Sequence, residues 1–436
     1  MTPATIYALA TAPGRAGVAV MRVSGPQAGP ALERLTGERG APRAARLTGI
    51  ESQAGLIDRG LTLWFPAPGS FTGEDVAEFH VHGGPAVIEA MAEAFEAIGL
   101  RQAEPGEFTR RAFEHGKMDL TEAEGLADLV NAETAAQRDQ ALRQMSGALK
   151  GIYSDWRDRV LTVTAQVEAE IDFPDEGDVP DALAGRAGPE LYALVNALKA
   201  HLDDAHRGER VRDGYRIALI GPPNAGKSSL LNRLSRREAA IVTEIPGTTR
   251  DIVEVHLNLG GYPVIVADTA GLRETADRIE AEGVRRALER AENADLRIGV
   301  ADAADPQTAE AVRSRLKPDD ILVWNKCDAA PARQDESIRI SALTGEGVEM
   351  LEADLTRRVT SVLGGAGAPS LTRQRHRRGV LRALEALERG RMRLSDAPEL
   401  AGEDLRLAAR ALEEITGRVD VEDVLGEIFG RFCIGK

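Results

Sequence analysis

Two cysteines in 436 residues, Cys327 and Cys433, are too few for a disulfide framework or a four-cysteine zinc site. Free thiols and a reducing compartment are the expectation. Aromatic residues are scarce, at 4% of the chain, whereas long stretches are rich in Ala, Leu, Glu and Arg, so much of the chain should be helical. No apolar run is long enough to cross a bilayer, and the opening "MTPATIYALATAPG" lacks the basic n-region of a secretory signal. The chain is therefore expected to be cytoplasmic, with no membrane partner. Basic charge is also short, and the formal net charge is −15. A protein that held nucleic acid mainly by neutralising phosphates would be basic over the whole domain, so RNA contact must come from local patches or a partner. The tail "RFCIGK" is no prenylation box, because Gly435 and Lys436 stand where an aliphatic residue and a permitted last residue belong.

The length allows two or three domains, and three textures run along it. Residues 1–117 mix short apolar runs with Gly/Pro punctuation, as in "IYALA" and "GVAVMRV", which predicts strands and turns. Residues 118–212 read as long amphipathic helices, with Thr121 and Glu124 at capping-box spacing. Trp156, Val160, Val163 and Val167 recur three and four apart and should pack as one core face. From 213 to 366 apolar strands such as "YRIALIG", "YPVIVAD" and "DILVWNKCD" alternate with helical segments, the pattern of a parallel sheet covered on both faces. Helical texture returns over 367–436. The economical arrangement is an α/β domain inserted between two parts of one helical domain, preceded by an α+β domain.

Chemistry concentrates in the α/β segment. "GPPNAGKSS", Gly221 to Ser229, matches G-x-x-x-x-G-K-[ST] and lies between a predicted strand and a predicted helix. Its glycines let backbone N–H groups and a helix N-terminus face a phosphate. Lys227 adds a charge on the β/γ-phosphates, and the Ser228 hydroxyl suits Mg²⁺. In "VIVADTAG", Asp268 ends an apolar strand within reach of the Mg²⁺ shell, and the Gly271 N–H can sense a γ-phosphate. In "NKCD", Asn325 to Asp328, a fixed carboxylate at Asp328 can accept from both N1–H and the 2-amino group of guanine, a donor pair that adenine lacks. "SALTGEG", from Ser341, Ala342 and Leu343 to Gly347, offers a loop to close over the base. Four elements in this order define a guanine-nucleotide-binding G domain of the P-loop NTPase class. In "VTEIPGTTRD", Gly247, Thr248 and Thr249 look like a switch loop, with Thr249 a second Mg²⁺ ligand. The position that carries a water-orienting Gln in Ras-type enzymes holds Leu272, and no arginine is plainly dedicated as a finger, although Arg250, Arg273 and Arg278 are available. Another cation or a partner must meet the phosphoryl charge.

With "GTTRD", "DTAGLRE" and "CIGK" added, the chain resembles the MnmE/TrmE family of bacterial tRNA modification GTPases over nearly its whole length. The blocks "SFTGEDVAEFHVHGGPAVIEA", "PGEFTRRAFEHGKMDLTEAEGLADLV" and "EAEIDFPDE" carry that resemblance more specifically than the G motifs do. It implies a K⁺ ion held by Asn224, Thr243, Ile245 and Thr248, standing where other GTPases place an arginine finger. It implies Glu280 as the acid that orients water. The GTP-binding set becomes Asn224, Ala225, Gly226, Lys227, Ser228, Ser229; Thr243, Glu244, Ile245, Pro246, Gly247, Thr248, Thr249; Asp268, Thr269, Ala270, Gly271; Asn325, Lys326, Asp328; and Ser341, Ala342, Leu343.

The resemblance further implies that the N-terminal domain makes a homodimer and binds a reduced folate, 5-formyl- or methylene-tetrahydrofolate, through Arg22, Glu78, Lys117 and Lys436. Cys433 would take part in the modification step, which requires solvent access and a lowered thiol pKa. An FAD-dependent partner subunit of the MnmG/GidA type would complete a heterotetramer acting at C5 of the wobble uridine of certain tRNAs. His80 and His82 share a strand face without a third ligand in view, which argues against a metal there. "RQRHRR", Arg373 to Arg378, reads either as an RNA-facing patch or as a solvated helix start. A ribosome-assembly switch would call for a KH-like G-x-x-G segment and a basic face, and neither is present. A mechanical scaffold GTPase is the remaining alternative.

Overall fold

Alternation in the first hundred residues produces a six-stranded sheet in the order β3-β4-β5-β2-β1-β6. Its strands are β1 (Ile6–Leu9), β2 (Ala16–Ser24), β3 (Arg46–Ser52), β4 (Gly55–Phe65), β5 (Val76–Gly83) and β6 (Arg101–Gln102). Every neighbouring pair is antiparallel except β1 with β6. The period of two in "VAEFHVHG" sends Phe79 and Val81 into the core and leaves Glu78, His80 and His82 on the opposite face. Helices α1 (Ala28–Thr36) and α2 (Pro85–Ala97) supply Leu32, Met91 and Phe95 to that core. The Phe95 ring meets Tyr7 at 5.1 Å and Phe79 at 5.3 Å. We describe a computed structural model of the chain, covering residues 4–172, 183–236, 240–241, 254–268, 292–330, 337–365, 370–419, 422–430, 432 and 434–435.

These residues fall into two compact units. The first comprises Met1–Ala127, Lys150–Thr162 and Leu405–Lys436, and so holds the sheet above. Within it α3 (Glu107–Glu114) and α4 (Leu120–Val130) meet the helix Glu422–Phe429, where Leu120, Ala123, Phe429 and Phe432 form a small core. Gly435 lies with φ +97° against the end of β1, and a Cβ there would stand 2.3 Å from the Leu9 carbonyl oxygen. Only a glycine lets the tail lie that close.

The second unit comprises Asp128–Leu149 and Val163–Asp404. Its sheet runs β13-β12-β11-β7-β10-β9-β8, from β7 (Tyr215–Ile220), β8 (Ala240–Ile241), β9 (Glu254–Leu259), β10 (Tyr262–Asp268), β11 (Leu296–Asp302), β12 (Ile321–Asn325) and β13 (Ile338–Arg339). The five strands from β13 to β10 are mutually parallel, β9 runs antiparallel to β10, and β8 is antiparallel to β9 in turn. Parallel strands buried on both faces explain the unbroken apolar runs. Around this sheet lie α5 (Ala135–Met145), α8 (Ala205–Asp213), α9 (Lys227–Leu234) and the helix Val348–Leu363, with α7 (Leu183–Asp203) packed on the helix Gln374–Arg393.

The long helix α6 (Ala148–Asp172) buries Trp156, Val160, Val163 and Val167, as its spacing predicts. The cap of α4 is a correction to the sequence reading. Asp119, not Thr121, caps the helix: its Oδ1 accepts from the Glu122 N–H at 2.9 Å, and the Glu122 Oε2 accepts from the Asp119 N–H at 2.7 Å. The reciprocal box is thus shifted two residues toward the N-terminus, which leaves Thr121 and Glu124 fully buried.

Candidate functional site

The chain leaves β7 at Ile220 and turns at once through Gly221, whose φ is +154°. A Cβ at Gly221 would sit 2.3 Å from the Val300 carbonyl oxygen on β11, so only glycine lets the loop emerge between these strands. Asn224 adopts a left-handed conformation, φ +65°, and Gly226 follows at +91°. Two such residues so close together turn the chain sharply into the start of α9, the kind of turn in which N–H groups can form an anion-binding concavity. A phosphate placed there meets both these groups and the helix dipole.

Lys227 is 4% exposed, and its Nζ donates to the carbonyls of Gly221 at 2.8 Å and Pro222 at 2.9 Å. Burial pushes this ammonium below its ordinary pKa, and the Asp268 carboxylate opposes the shift. Ser228 Oγ donates to Asp268 Oδ2 at 2.6 Å, which joins the phosphate loop to the end of β10. A hydroxyl and a carboxylate at one strand end form the hard-oxygen pair that Mg²⁺ prefers.

The base motif sits at the end of β12. Asn325 is 2% exposed. Its Nδ2 donates to the Ala225 carbonyl at 2.8 Å, and its Oδ1 accepts from the Ala342 N–H at 3.0 Å. One side chain therefore ties the phosphate loop to the Ser341 loop. Lys326 is left-handed, φ +64°, and pairs with Asp302 at 2.6 Å. A cavity of about 410 Å³ opens between these elements, and Gly226, Ser229, Lys326, Asp328, Ser341 and Ala342 line it. Cys327 lies beside the cavity as a half-buried free thiol, its pKa raised by burial and by the nearby Glu346.

Of the sequence-predicted set, the structure brings together Asn224, Ala225, Gly226, Lys227, Ser228, Ser229, Asp268, Asn325, Lys326, Asp328, Ser341, Ala342 and Leu343. Residues Thr243 to Thr249, Thr269, Ala270, Gly271, Leu272, Glu280, Cys433 and Lys436 lie outside the described residues.

In the N-terminal sheet Arg22 and Glu78 face each other across β2 and β5 and pair at 2.9 Å. Arg22 also lies over the Phe71 and Phe108 rings, at 5.7 and 5.9 Å. Lys117 Nζ donates to the Pro68 carbonyl at 2.9 Å. His80 bonds Glu78 and His82 bonds Asp58, so each histidine has a carboxylate of its own. Sequence reading missed a buried charge of this domain. Arg111, 8% exposed, is held by Glu74, Glu107 and the Ala4 carbonyl. It sits in the quoted block "FTRRAFEHG" with nothing to set it apart from its neighbour Arg110. The basic segment from Arg373 is partly spent internally: Arg373 pairs with Asp128 at 2.6 Å, and His376 is fully buried.

A strand, a glycine-turned phosphate loop, a serine–aspartate pair and an Asn-Lys-Cys-Asp strand end define the class: a P-loop guanine-nucleotide-binding domain set within helical sequence. Comparison with known proteins narrows this. A model described as the MnmE helical domain matches residues 120–433, and one described as the GTP-binding protein TrmE N-terminus matches residues 5–117. The tRNA modification GTPase MnmE of Maricaulis maris is 61% identical over 99% of both chains. Its counterpart in Parvibaculum lavamentivorans is 58% identical over 99% of this chain and all of its own. The G domain of the T. maritima FeoB iron transporter aligns over 33% of this chain and 98% of its own at 27% identity, but the TM-score of 0.27 is too low to bear on function. The chain belongs to the MnmE (TrmE) family.

Proposed function

We propose that this protein hydrolyses GTP and uses the cycle in modifying tRNA. The carrying observation is the Asn325 bridge, which holds the Ser341 loop against the phosphate loop around one cavity that Asp328 lines. A carboxylate at Asp328 would reject a base that leaves it unpaired. Lys227 holds its charge at the mouth of the glycine cradle, and Ser228 and Asp268 would hold Mg²⁺, which supplies charge neutralisation at the phosphates. Asn224, with Thr243, Ile245 and Thr248, would hold K⁺, supplying positive charge at the transferring phosphoryl group. Glu280 would orient the attacking water, and Thr249 would complete the Mg²⁺ set.

In the N-terminal domain the Arg22–Glu78 pair over two aromatic rings fits a flat, acidic heteroaromatic ligand. Arg22, Glu78, Lys117 and Lys436 would bind a reduced folate, the source of a one-carbon unit. With Cys433 assisting, a homodimer joined to an FAD-dependent subunit of the MnmG type would install an aminomethyl or carboxymethylaminomethyl group at C5 of the wobble uridine, in the cytoplasm. Support comes from the family membership and from the acidity of the chain, which leaves most RNA contact to a partner.

The test is GTP turnover by the purified protein in KCl and in NaCl at equal ionic strength, alongside ATP as a control. Equal rates in the two salts would remove the K⁺ role, and a preference for ATP would remove the reading altogether.

A further inference from the structure

Arg233 has no part in the motifs, yet it lines the base cavity. It lies in the last turn of α9, the helix that Lys227 begins. Its Nε donates to the Ala342 carbonyl at 3.1 Å, and a second guanidinium nitrogen donates to the Leu343 carbonyl. The same guanidinium lies against Gly345, where a Cβ would meet it at 3.5 Å. Among the described residues no carboxylate pairs with it, so its directed donors go to the loop backbone.

The rest of the loop is satisfied differently. The Ser341 N–H donates to the Glu346 carbonyl at 2.9 Å, the Gly345 N–H to the Ser341 carbonyl at 2.8 Å, and the Thr344 N–H to Ser341 Oγ at 3.1 Å. The Ala342 N–H is taken by Asn325. The loop's donors are thus met by the loop itself or by the base motif, whereas the Ala342 and Leu343 carbonyls are met from α9. Leu343 is 78% exposed and gives the loop no apolar anchor. From outside, this segment is fastened by Asn325 at one N–H and by the guanidinium fork at two carbonyls.

We infer that Arg233 is a positioning residue that sets nucleotide affinity by holding the Ser341–Gly347 loop ready at the base end of the cavity. A loop already ordered does not charge its ordering entropy to ligand binding. Arginine suits the task because one rigid fork reaches two carbonyls, whereas a lysine is a point charge on a flexible stem. The helix that begins at the phosphates thereby also disposes the base loop, so the two ends of a nucleotide are read against one rigid element. The inference rests on the guanine-nucleotide reading above.

The full-length protein, Arg233→Ala and Arg233→Lys are compared by stopped-flow release of a fluorescent methylanthraniloyl-GDP, by steady-state GTP and ATP hydrolysis, and by thermal unfolding without nucleotide. For Arg233→Ala, GDP release and the KM for GTP rise about tenfold, equivalent to roughly 1.4 kcal/mol. Turnover at saturating GTP stays within twofold, the preference for GTP over ATP narrows, and Arg233→Lys falls between. Unchanged release and KM would overturn the inference. So would a joint fall of kcat and Tm at constant KM, which marks a merely structural role. A wild-type protein that binds no guanine nucleotide sinks the underlying reading instead, so the two failures are distinguishable.

Discussion

Replacing Asn325 by alanine tests the architecture of the nucleotide site at its most connected point. The wild-type side chain is 2% exposed and makes two hydrogen bonds, to Ala225 and Ala342, residues that are themselves 1% and 6% exposed. Truncation leaves a carbonyl and an N–H without their partner in a setting where water has little access. Each such loss costs about 1–2 kcal/mol, so the pair costs roughly 2–4 kcal/mol. Both bonds run from the end of β12 to loops rather than between strands, so the penalty falls on the arrangement that receives a nucleotide, not on the sheet beneath. If all of it appears in binding, affinity for GDP falls between about 30- and 1000-fold. Equilibrium titration with fluorescent GDP measures this, with circular dichroism to verify that the sheet persists. Asn325→Asp makes the comparison sharper, because it retains an acceptor for Ala342 but sets a carboxylate against the Ala225 carbonyl. It should bind at least as poorly as alanine. Affinity within threefold of wild type in either variant would refute the bridging role.

Three further outcomes follow from other contacts. Gly208→Ala should destabilise the protein by roughly 2–3 kcal/mol in urea unfolding, because the new Cβ would stand 2.1 Å from the Leu371 carbonyl oxygen, a backbone atom that must move; an unchanged midpoint would contradict the clasp described below. His201, 8% exposed, has its pKa lowered to about 4 by burial and then by His376, with Asp204 opposing, against an ordinary 6.5. The unfolded chain therefore binds this proton more readily, so the contribution is intact above pH 6.5 and is lost as pH falls toward 4, on the order of 3 kcal/mol in full; a His201→Leu variant should show a smaller stability loss between pH 7.5 and pH 5, and parallel losses would exclude the effect. Cys433→Ser should abolish tRNA modification while sparing GTP turnover, read by mass spectrometry of tRNA nucleosides; normal modification removes the thiol from the chemistry.

The phosphate loop was legible in the sequence because its demands are local. Gly221 and Gly226 sit where any side chain would strike Val300 or Asn325, and Lys227 and Ser228 are fixed by the first turn of one helix. The parallel sheet was legible for a related reason, since strands covered on both faces must be apolar throughout. The α4 cap was misread because Asp119-x-x-Glu122 and Thr121-x-x-Glu124 overlap, and spacing alone does not say which acceptor meets the helix start. Arg111 and Arg233 were not legible at all. Each looks like one more charge on an amphipathic helix, and its partners are a carboxylate 37 residues away and a loop 110 residues away. Pairings at that separation are set by topology, which residue spacing does not encode.

The helical sequence on either side of the α/β segment gains meaning from how the two connections are fastened. The chain enters β7 from α8, and beyond the helix Val348–Leu363 the residues Ser370, Leu371 and Thr372 lead into the helix Gln374–Arg393. These two passages lie side by side. Gly208 on α8 admits the Leu371 carbonyl so closely that no side chain fits, and Arg212 donates to the Thr372 carbonyl at 2.9 Å. Arg207 binds both Asp204 and Ser370, and Thr372 donates to Gln144 of α5 at 3.0 Å. Gln140 of α5 in turn donates to the Gly208 carbonyl at 3.0 Å. A domain inserted through two loose linkers would rotate freely and transmit nothing to its host. Here the entry and exit share one fastening on α5, and the same helix meets the β9–β10 turn, where the Ala136 N–H donates to the Gly261 carbonyl at 3.0 Å. Strand β10 ends at Asp268, which holds Ser228 of the phosphate loop. The phosphate loop and α5 are therefore linked through β10 as well as through the two connections. Within this unit the α/β segment is thus joined to the helical sequence twice, by the shared fastening of its entry and exit and by the direct contact of α5 with the sheet.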